Sequence, residues 1–149
     1  MNRAPLLLVA AAALLLALPA SASADDATLS ATVNSWSQTI GADAHSVALA
    51  AQNAHPRRMI YSARRFRRDA LLARAAITLE TPSTTNGQQG RQLALSAFAN
   101  YAIAGRKWVL SGRARLAHYR ALSIAYANAG ARYARIGDTQ LVAAGKLLP

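Results

Sequence analysis

Residues 56–79 read PRRMIYSARRFRRDALLARAAITL, and the spacing within them decides the fold. Met59, Ala63, Phe66, Ala70, Ala73 and Ile77 lie alternately four and three residues apart, which places them on one seam of an α-helix at heptad phase. Pro56 suits the first turn, where its missing N–H has no intrahelical partner to lose. Full burial of a large apolar side chain contributes roughly 1.5–3 kcal/mol, so Met59, Phe66 and Ile77 are enough to hold this helix to a neighbour. Arg57, Arg58, Tyr61, Arg64, Arg65 and Arg68 fall on the opposite side, and Arg67 and Arg74 flank the seam. The arginines are therefore free to face water.

Upstream the same period continues. Leu29, Val33, Trp36, Ile40, Ala44, Val47 and Ala51 form a stripe that predicts a helix over 26–53, with Gly41 its weak point. Asp25 and Asp26 stand at its start, where carboxylates favour the positive end of the helix dipole. Downstream, Thr81-Pro82-Ser83-Thr84-Thr85-Asn86-Gly87 combines helix breakers with short polar side chains and marks the main loop, 81–87.

Helical periodicity resumes near Gln88. Phe98, Gly105, Gly112, Tyr119, Tyr126 and Tyr133 are seven apart, and Tyr101, Trp108, Arg115, Leu122, Ala129 and Ile136 interleave with them. Ser111-Gly112 interrupts this stripe with a residue that costs about 1 kcal/mol in a helix interior. The expectation is two helices, 88–110 and 113–136, or one kinked helix across both. Gly137 would close the second, and Asp138 would cap a short terminal helix over 139–147. Short connections favour antiparallel neighbours, so the fold class is an all-α helical bundle of three to four antiparallel helices. No self-similarity at a period of 20 to 50 residues suggests a repeat array.

The first 24 residues read differently. Arg3, an apolar run from Leu6 to Leu18, Pro19 and the small residues Ala22-Ser23-Ala24 follow the order of a secretory signal peptide. The run has thirteen residues, fewer than the roughly 20 of a spanning helix. Cleavage after Ala24, with Ala22 as the alternative, would deliver a single domain, 25–149, to the cell exterior or to an envelope or periplasmic space. The longest late uncharged stretch, Gln92 to Gly105, has fourteen residues and ends in arginines, so the mature chain contains no transmembrane span.

Of seventeen basic residues only Lys107 and Lys146 are lysine, and the net charge of +11 becomes +10 once Arg3 is removed. Guanidinium suits bidentate contacts with carboxylates and phosphates, although a GC-rich coding bias would produce the same arginine excess. The chain has no cysteine, which excludes disulfide staples and a lipid-modified cysteine at the cleavage site.

Catalytic signatures are missing: there is no G-x-S-x-G, H-E-x-x-H or Walker loop. Carboxylates are few, and Asp69 reads as a counterion among arginines. His45, His55 and His118 have no metal-ligand spacing, and Met59 with His118 would be a weak haem pair, so no metal, cofactor or catalytic residue is assigned. What stands out is the arginine face. Arg57, Arg58, Arg64, Arg65 and Arg68 have almost no acidic neighbour at i+4, so they repel one another unless an anion meets them. A second basic and aromatic patch is Arg115, Arg120, Arg132 and Arg135 with Tyr119, Tyr126 and Tyr133, read either as a packed seam or as rings exposed for stacking.

The sequence thus points to a non-enzymatic, exported helical bundle that binds an anionic surface or polyanion through the arginine face. Anionic lipid, a wall polymer or an acidic protein are the partners such a charge suits, and export argues against specific nucleic-acid recognition. The alternative is an assembly protein whose heptad seams pair with a second copy or a partner bundle.

Overall fold

The computed structural model describes residues 18–149, with side chains from Ala24 onward. Residues 1–17, which hold most of the expected leader, lie outside the described residues. Four helices follow one another: α1 (Leu18–Gln52), α2 (Pro56–Leu79), α3 (Thr85–Leu116) and α4 (Arg120–Gly145). Among the described residues there is no strand, and the all-α class expected from the periodicity holds. The cleavage point expected after Ala24 falls within α1.

The helix quoted first keeps both of its expected ends. All six seam residues are buried, with Phe66 at the centre: its ring meets Tyr101 edge-on at 5.9 Å between centroids and Trp108 at 5.1 Å. On α1, Leu29, Val33, Ile40 and Val47 are buried and Trp36, Ala44 and Ala51 pack partly against the same core. Cross-links fix the pairing as antiparallel throughout. Thr32 donates to Glu80 and Arg65 pairs with Asp43 between α1 and α2; the Arg91 guanidinium donates to the Ile77 carbonyl between α2 and α3. Between α3 and α4, Tyr101 donates to Asp138 and Ser111 to the Ser123 carbonyl. Each helix packs chiefly on its neighbour in sequence, and α1 meets α3 only lightly.

Several boundaries differ from expectation: α1 begins at Leu18 and not at 26, and α3 begins at Thr85, inside the expected loop 81–87, because the Thr84 hydroxyl caps it. α3 runs through Ser111-Gly112 to Leu116, and the break comes at 117–119. Gly112 is buried because α2 comes close: a Cβ there would stand 2.6 Å from Ile60 Cγ1 and 3.2 Å from the Pro56 carbonyl. The missing side chain lets two helices approach and breaks neither. α4 likewise passes through Gly137 without stopping, because a Cβ at that position would stand 2.7 Å from the Tyr101 ring and 3.0 Å from the Ala97 carbonyl. There is accordingly no separate helix over 139–147, and Asp138 accepts the Tyr101 hydroxyl at 2.7 Å instead of capping one. Burial and that bond both push the Tyr101 phenol pKa well up.

Candidate functional site: an arginine-lined groove

On α2, Arg64, Arg67, Arg68, Leu71 and Leu72 recur at helical spacing, and on α3 Arg106, Val109, Leu110 and Arg113 do the same. Antiparallel packing sets these two sets side by side and leaves a groove of about 640 Å³ between them. Its floor is apolar and open to solvent: Leu71 and Leu72 are 43% and 49% exposed. Five guanidiniums surround it, and no carboxylate lines it. Only Arg68 has a counterion, its Nε donating to Asp69 Oδ1 at 2.8 Å.

The five arginines predicted on α2 do not act as one set. Arg64 and Arg68 line the groove, Arg57 and Arg58 are exposed on the first turn of α2, and Arg65 turns towards α1, where Asp43 takes it as an ion pair. The reading of Asp69 as a counterion among the arginines holds for Arg68, and Arg65, expected to repel its neighbours without an ion pair, finds one outside α2. Within α2 only Arg65 of the five has an acid at i+4, Asp69, yet it pairs with Asp43, which lies 22 residues upstream and reaches it across the helix interface. Arg67, Arg106 and Arg113 were not among the predicted site residues. Arg67 flanks the seam in sequence, and the two α3 positions become part of the face only when the antiparallel register is known.

The second patch also divides. Arg115 and Arg120 gather with His118 at the α3–α4 turn, whereas Arg132 and Arg135 lie further along α4 with Asn128 and Thr139. Of the tyrosine line, Tyr133 packs partly into the core, Tyr126 is half-buried with the Lys107 ammonium 5.7 Å from its ring centroid, and Tyr119 is exposed. Three residues at one period thus have three environments.

Asp43 is the other chemically distinctive group. It is fully buried, its Oδ1 accepts from Arg65 Nε at 2.5 Å, and its Oδ2 has no hydrogen-bond partner. Burial raises its pKa above the usual 3.8; Arg65 opposes that shift and the neighbouring Asp69 adds to it. Asp69, which burial alone would raise, is held below 3.8 by its hydrogen bond to Arg68 and by the positive charges of Arg68 and Arg65. His45, His55 and His118 are all exposed, and no cluster of three metal-ligating side chains occurs among the described residues.

The carboxylates are unevenly placed. None occurs over 44–68 or 81–137, stretches that carry Arg64, Arg67, Arg68, Arg106, Arg113, Arg115 and Arg120. The groove and the adjoining α3–α4 turn therefore share a surface of one sign. Comparison with protein-family models, curated proteins and solved structures gave no match.

Proposed function

We propose that the chain is exported by its leader and that the delivered bundle, non-enzymatic, binds a polyanion or an anionic surface by charge. The observation that supports this is the groove: five guanidiniums from two helices surround an open apolar floor that no carboxylate lines. Like charges held this close repel, and an anion seated among them relieves that repulsion while using the forked donors of each guanidinium. Lipid headgroups, wall polymers and acidic proteins share the required chemistry.

The test is binding to anionic vesicles and to a soluble polyanion over a salt series. Affinity should fall steeply with salt, and Arg64→Gln/Arg67→Gln/Arg106→Gln should weaken it more than tenfold, at about 1 kcal/mol for each basic residue near an anionic surface. The circular dichroism spectrum should not change, because all three side chains are exposed. Salt-independent binding, or none at low salt, refutes the proposal. The self-pairing alternative would have to use exposed residues such as Leu71 and Leu72, since the α2 seam is buried within the chain. A salt-insensitive dimer in solution would favour it.

A further inference from the structure

We infer that the α3–α4 turn is a docking tip for an anionic phospholipid bilayer, entered end-on by Leu116, Tyr119 and Leu122 while Arg115 and Arg120 hold the headgroups. The inference rests on the anion-binding reading above and names its surface and its ligand. Residues 115–122 read RLAHYRAL, and all eight are exposed. The turn closes with the Tyr119 N–H on the Ala114 carbonyl and the His118 N–H on the Arg115 carbonyl, with His118 in the left-handed region at φ 61°. In this arrangement the residue at the Tyr119 position commonly folds its apolar side chain back onto the helix. Here Tyr119 is instead 64% exposed, beside Leu122 at 45%.

Both helix turns of this kind, 53–55 and 117–119, lie at the same end of the bundle, because α1 and α3 run towards it and α2 and α4 start from it. The first turn of α2 is brought alongside, its Pro56 carbonyl packed against Gly112 one turn before Leu116, so Arg57 and Arg58 add to the same end. No carboxylate lies in either turn or in the helix turns that flank them.

A bilayer suits this surface better than a protein partner does. Tyr119, Arg120, Ala121 and Leu122 border only a shallow, open depression, which a fluid interface can fill where a rigid partner would need a matching projection. A tyrosine ring and aliphatic side chains lie within a turn of arginines, which matches the layering of a membrane interface: charge at the headgroups, an amphipathic ring at their depth, and aliphatics just below. No described helix is long and apolar enough to cross a membrane, so the attachment is peripheral.

The chain has no cysteine, so a single one can carry an environment-sensitive dye. The full chain is labelled at Tyr119→Cys or, at the opposite end, at Thr81→Cys. Each form is mixed with phosphatidylcholine vesicles, with vesicles of roughly one-third phosphatidylglycerol, and with polyglutamate. The dye at 119 should brighten and shift to the blue on anionic vesicles only, and the dye at 81 should not respond. Arg115→Gln/Arg120→Gln should weaken vesicle binding about 25-fold, from about fivefold for each charge.

Sedimentation with anionic vesicles while the dye at 119 stays silent overturns the tip and leaves the groove reading intact. A response at 81 alone assigns attachment to the other end or to the leader, and also overturns it. Binding to polyglutamate without vesicle binding makes the partner an acidic protein, against the tip proposal but not against anion binding. Binding to no anion at all removes both readings.

Discussion

The two ends of the bundle are held by different means. At the α2–α3 end the contacts are polar and specific: Asp26 is buried, accepts the Ser83 N–H at 3.1 Å and takes the Thr84 hydroxyl, and Thr84 in turn caps α3 by accepting from the Gly87 N–H at 2.9 Å. Gly87 is required there, because a Cβ would stand 2.4 Å from the Asp26 carboxylate. Thr32 bonds Glu80, and Ser30 bonds the Pro149 carbonyl at 2.7 Å, so α1, the loop and the segment after α4 are tied together. At the other end the turns close on backbone hydrogen bonds, and Ala54 and His118 occupy left-handed conformations that usually fall to glycine. The acidic side chains Asp25, Asp26 and Glu80 belong to the first end, and Arg57, Arg58, Arg115 and Arg120 to the second. A well-bonded end fixes the geometry, and the opposite end is left to carry uncompensated charge.

Substitutions can break this contrast. The largest effect should come from Asp26→Ala, which removes the acceptor of two donors and should destabilise the fold by about 2–3 kcal/mol in urea denaturation. Asp25→Ala, one residue away and exposed, should change stability by less than about 0.5 kcal/mol.

A smaller, pH-dependent change should arise midway between the ends. The raised pKa of Asp43 means that its contribution is complete below the usual 3.8 and is lost as pH rises through the folded value. Asp69, shifted downward, contributes above 3.8 and loses that contribution as pH falls through its own folded value. Denaturation as a function of pH should therefore show wild type gaining on Asp43→Asn as pH falls towards 3.8, whereas its advantage over Asp69→Asn should shrink only below 3.8.

The smallest effect belongs to the basic end. His118→Gly relieves a positive φ and should stabilise the protein by about 0.5–1 kcal/mol, read as a higher denaturation midpoint. A gain of that sign would confirm that the turn is strained and not anchored.

Legibility in the sequence followed the same divide. α2 could be read in full, since its apolar positions recur without interruption and Pro56 marks its start. The α3–α4 boundary could not, because the usual cues point the wrong way: glycine stands at 112, where two helices touch, and histidine at 118, where the chain turns. Spacing rules cannot tell a glycine that lets helices approach from one that ends a helix. The arginines of α2 were visible as a face, but the groove needs Arg106 and Arg113, whose place depends on which helix packs beside α2 and in what register. Asp43 was missed although it lies three residues after Ile40 and four before Val47, on the buried stripe itself. A carboxylate at a core position of the period was the available signal.

The pairing of each helix with its chain neighbour bears on how the molecule is made. Nearly all of its interfaces join segments separated by a short turn, so the sequence separation of contacting residues is low and loop-closure entropy is small for each step. Such topologies fold quickly, and α1 with α2 can close a hairpin while α4 is still being synthesised. The Ser30–Pro149 hydrogen bond, which spans 119 residues, must then be among the last contacts to form. It serves as a clasp that closes only once the segment after α4 has docked on α1.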